Sequence, residues 1–246
     1  MVKILEISIF DKRPDDAVDL VIAGCMKSKN NLCISATSAH GLVTARENRN
    51  FADVLKKFYL NLPDGMPLVW VGKLKGKRRM RRCYGPDFFK NVIKASAKKN
   101  IKHYFCGGKG SVAEKLKKAC KTKFKNNNVV GCFSPPFREM SDIELKKLGR
   151  AINHSKASIA WIGISTPKQE IFALRLSKFT KVNFIITVGA AFDFHTGGLK
   201  QAPKFMQRLG LEWLFRLYKE PKRLTKRYLK VVPFFLFYNL KDFLKL

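Results

Sequence analysis

The stretch Ser158-Ile159-Ala160-Trp161-Ile162, running into Gly163-Ile164-Ser165-Thr166-Pro167-Lys168-Gln169-Glu170, is the most informative in the chain. A nearly uncharged apolar run of this length is a buried strand, and Gly163 opens a turn behind it. Thr166 before Pro167 then reads as a helix cap with proline at the first helical position, so a helix is expected over 167–178. Strand, short turn and capped helix together make one βα unit. Outward from it the same alternation recurs. Apolar segments rich in β-branched residues at 32–36, 58–62, 102–106, 129–133 and 184–188 predict further strands. Amphipathic stretches at 44–57, 87–99, 112–125 and 142–153 predict helices between them, the last opened by a capping box of Ser141 and Glu144. Such alternation specifies an α/β fold around a parallel sheet.

Beyond Pro203 the pattern changes. The chain becomes helical, basic and aromatic, with Trp213, Phe215, Tyr218, Tyr228, Phe234, Phe235, Phe237 and Tyr238 among eleven basic and three acidic residues. We therefore expect a core over 1–203 and a C-terminal appendage over 204–246, whose mixture of cations and aromatics suits an anionic membrane surface. Packing of the aromatics into a core is the other reading. Its longest apolar run, 231–238, is about a third of the roughly 20 residues needed to cross a bilayer.

Across 246 residues, 49 Lys plus Arg against 18 Asp plus Glu give a formal charge of +31. That charge calls for an anionic partner, although many of the lysines, such as Lys115, Lys117, Lys118, Lys121, Lys123 and Lys125, are expected to form a solvated face. A nucleic-acid reader is disfavoured, because no zinc finger, RNP-like motif or recognition helix is present. Six cysteines, with no C-x-x-C pair, read as reduced and mostly buried thiols. The apolar stretch 2–10 is interrupted by Lys3 and Glu6 and does not read as a secretory signal, so the chain is expected to act in the cytoplasm.

Small residues follow the strands at Gly107-Gly108, Gly163 and Gly189, where an open parallel sheet binds its ligands. Neither a G-x-G-x-x-G nor a Walker loop occurs, which removes the main support for a nicotinamide-dependent or ATP-dependent enzyme. Asp64, in Leu62-Pro63-Asp64-Gly65, follows a strand and is a candidate general base; a turn carboxylate capping the next helix is the alternative. Thr37 follows the first strong strand at the same edge. Lys168 and Gln169, with the backbone around them, can hold a diphosphate or sugar hydroxyls. The four histidines are dispersed and no Asp-x-Asp occurs, so no metal and no cofactor is expected. Stabilisation of a leaving group by arginine or a helix end fits better.

Taken in order, Leu62-Pro63-Asp64-Gly65, Arg82-Cys83-Tyr84-Gly85-Pro86-Asp87, Gly107-Gly108, Pro167-Lys168-Gln169-Glu170, Gly189-Ala190-Ala191-Phe192-Asp193 and Glu212-Trp213-Leu214-Phe215-Arg216 with Glu220-Pro221-Lys222-Arg223 resemble the WecG/TagA/CpsF family of bacterial glycosyltransferases over roughly 31–230. The resemblance implies a Rossmann-like core with a C-terminal appendage. It also implies inverting transfer of an N-acetylmannosamine-type sugar from UDP to N-acetylglucosamine on undecaprenyl diphosphate, for teichoic acid, capsule or related exopolysaccharide. On that resemblance Asp64 is the catalytic base with Thr37 beside it. Arg82, Gly107, Gly108 and Gln169 belong to the substrate site, and Arg216 and Arg223 lie near the diphosphate with a third tail position that matches Arg227 better than Lys226. The partners implied are the UDP-sugar, the polyprenyl-linked acceptor and the inner face of the cytoplasmic membrane. Whether copies of the chain associate is left open. Two departures stand out: Thr37-Ser38-Ala39 replaces Thr-x-Asn, and Gln201-Ala202-Pro203 replaces Arg-Ala-Pro, so the donor is expected to differ in detail.

Overall fold

The computed structural model describes residues 1–27 and 30–244. The chain runs β1 (Val2–Ile4), β2 (Ile7–Ile9), α1 (Pro14–Gly24), β3 (Leu32–Thr37), α2 (Ala39–Glu47), α3 (Arg49–Lys56), β4 (Leu60–Pro63), α4 (Met66–Leu74) and α5 (Gly85–Ser96). It continues through β5 (His103–Gly107), α6 (Val112–Phe124), β6 (Val129–Phe133), α7 (Asp142–His154), β7 (Ile159–Gly163), α8 (Lys168–Leu176), β8 (Phe184–Thr187) and α9 (Ala191–Thr196). The C-terminal part is α10 (Lys204–Arg208), α11 (Glu212–Lys219) and α12 (Pro221–Leu244).

Strands β3 to β8 form one sheet in the order β4-β3-β8-β7-β5-β6, every pair parallel. Alternation along each strand sends side chains to two cores. Ile159 and Trp161 of β7 join α1, α5, α6 and α9 on one face, whereas Ala160 and Ile162 join α7 and α8 on the other. Helices on both faces of the parallel sheet give the α/β fold that the sequence pattern predicts and the Rossmann-like core that the resemblance implies. All six predicted strands are present with ends shifted by no more than two residues.

Three features differ from the expectation. The apolar stretch at 2–10 is an antiparallel hairpin, β1 with β2, whose Ile4, Ile7 and Ile9 are fully buried in a third cluster with α2, α3 and α4. The single helix expected over 44–57 is two, because Asn48 adopts an extended conformation and its side chain accepts from the Phe51 N–H, starting α3 anew. Thr166 does not cap a helix from Pro167: the Thr166–Pro167 peptide is cis, the helix begins at Lys168, and the Thr166 hydroxyl is engaged elsewhere. The capping box at Ser141 forms as read.

The tail breaks at Pro221, so Arg216 on α11 and Arg223 on α12 belong to different helices. Leu224, Val231 and Phe235 of α12 are buried, the last two in the hairpin cluster, and Lys230 pairs with Glu47 at 2.7 Å. Helix α12 thus packs along α2 while much of its other surface stays apolar and exposed. No helix among the described residues is long and apolar enough to cross a membrane. The six cysteines form no disulfide, and burial pushes all six thiols above their ordinary range.

Candidate active site

Every strand of the parallel sheet ends at one cleft. Ser38, Asp64, Gly108, Ser134, Ile164 and Val188, the residues directly after β3 to β8, all line a cavity of about 1660 Å³. The chain leaves β4 on one side of the sheet and resumes at β5 on the other, so this edge contains the topological switch where parallel sheets open for ligands. Asp64, Arg82, Gly108, Gln169, Arg216, Arg223 and Arg227 meet there, although they come from segments more than 160 residues apart.

Asp64 is held by its surroundings at both ends. Its N–H donates to the Thr37 carbonyl at 2.9 Å, and its Oδ1 accepts from the Gly85 N–H at 2.6 Å, at the start of α5. The carboxylate therefore does not cap α4, whose N-cap is Gly65 without a side-chain bond. Burial raises the Asp64 carboxyl above the ordinary 3.8, while Arg82 and the Gly85 N–H pull it back. Arg82 donates through Nε to the Asp64 carbonyl at 2.9 Å, stacks over the Tyr84 ring at 4.1 Å and pairs with Glu212 of α11. Glu212 and Tyr84, both buried, are members that residue chemistry read along the sequence does not single out. Only the fold shows that a carboxylate of the tail shares an arginine with Asp64.

Thr37 lies beneath the cleft rather than on its wall. Its hydroxyl is buried and donates to Asn61 Oδ1 at 3.3 Å, and its link to Asp64 is the backbone one. Gly107 and Gly108 are explained by close approach. A Cβ on Gly107 would meet the Gly163 carbonyl oxygen at 2.4 Å, and the Gly108 N–H already donates to that oxygen at 3.1 Å. Gly108 faces the cleft and Gly107 does not.

Gln169 is 1 % exposed and its amide is fully used. Its Oε1 accepts from the Gly189 N–H at 3.0 Å, and its Nε2 donates to Thr166 Oγ1 at 3.1 Å and Glu170 Oε1 at 2.8 Å. The side chain ties the turn after β7 to the turn after β8, which shapes the cleft floor. Gln169→Ala is expected to leave the Gly189 donor unpaired and cost about 2 kcal/mol, read by urea unfolding. A variant as stable as the parent would show that the amide is not holding the two turns.

On the same cleft as Asp64, the tail supplies positive charge. The Arg216 guanidinium sits 5.8 Å from the centre of the Phe194 ring, with its Nε buried and without a partner. Arg227 is pushed down by burial and then by Arg223 and Arg216, so these cations repel one another. Among the described residues, Arg223 alone of the three pairs with an acid, Glu220 at 2.6 Å. His40 is driven to about 4 by burial, with Arg227 and Lys230 adding to the effect, and is neutral at pH 7. Asp193, pushed up by burial, also faces the cleft and is one more carboxylate beside the arginines. Among the described residues, no three His, Cys, Asp or Glu side chains group as metal ligands.

A cleft that concentrates mutually repelling guanidinium groups beside a buried, positioned carboxylate suits an anionic substrate. The sequence model of the Glycosyl transferase WecG/TagA/CpsF family matches residues 2–246, taking in the β1–β2 hairpin and the whole of α12 as well as the motifs read above.

Proposed function

The chain belongs to the WecG/TagA/CpsF family of glycosyl transferases, and from that membership we propose that it moves an N-acetylmannosamine-type sugar from UDP to N-acetylglucosamine on undecaprenyl diphosphate. The observation that carries this reading is that Asp64 shares one cleft with Arg216, Arg223 and Arg227. In the proposed step Asp64 takes the proton of the acceptor hydroxyl as that oxygen bonds to the anomeric carbon. The bond from the anomeric carbon to the diphosphate oxygen breaks on the opposite face, UDP departs, and configuration inverts. Guanidinium groups stabilise the departing diphosphate, bidentately where geometry allows.

Arg82 and Thr37 serve this step by fixing the Asp64 turn, one through a carbonyl and the other through the backbone. Gln169 and the glycines at 107 and 108 shape the floor on which the sugar rests. In this reading 1–203 supplies the base and the sugar site, and 204–246 supplies the phosphate-facing cations on the inner face of the membrane.

One observation favours a different UDP-hexose or uronic acid as donor. Ala39 lines the cleft where the family resemblance leads one to expect an asparagine, so an amide that can select a sugar substituent is missing. The test is a panel of UDP-sugars offered with a short-chain N-acetylglucosaminyl diphosphoryl lipid, read by product mass. One donor should yield a disaccharide-lipid. Release of UDP without any disaccharide product from every donor would overturn the acceptor assignment.

A further inference from the structure

Between Asp64 and Asp87 there is no acidic residue, and within that interval Lys73, Lys75, Lys77, Arg78, Arg79 and Arg81 crowd nine positions. The active-site reading uses none of them. They lie at the end of α4 and in the loop that follows, and all but Lys75 are exposed. Two are neutralised in part: Lys77 pairs with Asp11 at 3.3 Å and Lys75 with Asp242 at 2.6 Å. Lys73, Arg78 and Arg79 have no ion-pair partner among the described residues.

The contact to Asp242 places this loop against the far end of α12. Lys75 Nζ also lies 5.3 Å from the centre of the Phe243 ring. That end of α12 keeps Leu236, Phe237, Leu240, Phe243 and Leu244 exposed, and Leu74, 74 % exposed, projects from α4 beside the cations. Of the tail lysines, Lys226 is seventeen residues before Phe243, about 25 Å along the helix, and Lys230 is committed to Glu47, whereas Lys241 is exposed in the last turn at this end. Lys245 lies outside the described residues. The exposed apolar end of α12 is therefore flanked by Lys241 of the helix itself and by the cations of the core loop, and the loop supplies most of them.

We propose that residues 73–81 and the apolar end of α12 form one docking face for an anionic lipid bilayer, with the loop as the principal electrostatic anchor. Cations flanking exposed leucine and phenylalanine match the headgroup and acyl layers of such a surface together. RNA would satisfy the cations but leave the apolar stripe in water. Leu74 and Leu236, both exposed, also line the cleft, so docking on this face brings the cleft to the bilayer. The proposal deepens the membrane-side reading above, which it rests on for its purpose but not for its measurement, because vesicle binding needs no substrate.

The full chain is to be sedimented with vesicles of 30 % phosphatidylglycerol in phosphatidylcholine and with vesicles of phosphatidylcholine alone. Each basic residue near an anionic surface contributes about fivefold to partitioning, so K73S/R78S/R79S should weaken binding about a hundredfold. A charge-matched K115S/K118S/K121S variant on the exposed face of α6 should change it by less than about fivefold, and turnover on a water-soluble short-chain acceptor should be unaffected in both. Equal losses in the two variants would overturn the proposal in favour of undirected net charge. Failure of the parent chain to bind the anionic vesicles, or loss of RNA binding alone in the loop variant, would overturn it too. Absence of turnover with retained vesicle binding would instead strike the acceptor assignment.

Discussion

Asp64→Asn should lower turnover at least a hundredfold while making the protein more stable at pH 7. The two effects have one cause. Proton removal by a positioned base accelerates reactions by about 10²–10⁴, and the amide cannot accept that proton. The amide oxygen can still accept from the Gly85 N–H, as the Asp64 carboxylate does, so the turn survives the substitution. The charge does not survive, and burial makes that charge costly in the folded state. The folded carboxyl titrates above 3.8, so the folded state binds the proton more tightly than the unfolded state does. Wild-type stability is then fully present below 3.8 and declines as pH rises towards the folded value. The variant has no such decline, so its advantage in urea unfolding should be nil near pH 3 and present at pH 7. The same raised value sets the acid limb of kcat/KM in the wild type, with activity falling as pH drops through it. A variant with near-normal turnover, or one less stable at pH 7 than at pH 3 relative to wild type, would remove Asp64 from the role of buried base.

How legible this was in the sequence differs by element. The six parallel strands are short, mostly apolar runs, and burial on both sheet faces keeps charged residues out of them although Ser35, Thr37, Asn61, His103 and Thr187 are buried within them. The β1–β2 hairpin was illegible because Lys3 and Glu6 interrupt an apolar stretch too short to show a period, and only packing against α2 and α4 makes Ile4, Ile7 and Ile9 a core. The candidate site was legible where one residue stands at one turn, as Asp64 does. It was not legible where two distant segments share a partner. Nothing local to Glu212 says that Arg82 will claim it, and nothing near Gln169 says that the Gly189 N–H will take its amide oxygen. The break at Pro221 could be read as a risk, but which helix face each arginine then takes depends on α12 packing along α2.

Arg216→Met combined with Arg227→Met is expected to cut kcat/KM about a thousandfold without loss of stability. A hydrogen bond to a charged group contributes about 1.5–3 kcal/mol, so losing two guanidinium contacts to a diphosphate predicts roughly 10²–10⁴. Ordinary structural arginines would make a different prediction, because breaking their pairs leaves a buried acid behind. Here there is no acid to strand: neither Arg216 nor Arg227 has an ion-pair partner among the described residues, and Arg227 is repelled by Arg223 and Arg216. Methionine keeps the aliphatic bulk against Phe194 and relieves that repulsion, so urea unfolding should show equal or greater stability. Arg223→Met should do less, since Glu220 already offsets its charge. Lysine at 216 and 227 should restore only part of the activity, because an ammonium carries the charge without the planar fork. Truncation before residue 204 is a blunter test. It strips Val231 and Phe235 from the hairpin cluster, so lost activity would merge with lost packing. If the double variant instead loses stability and keeps its activity, these arginines hold the tail to the core, and the diphosphate must be met by other groups in the cleft.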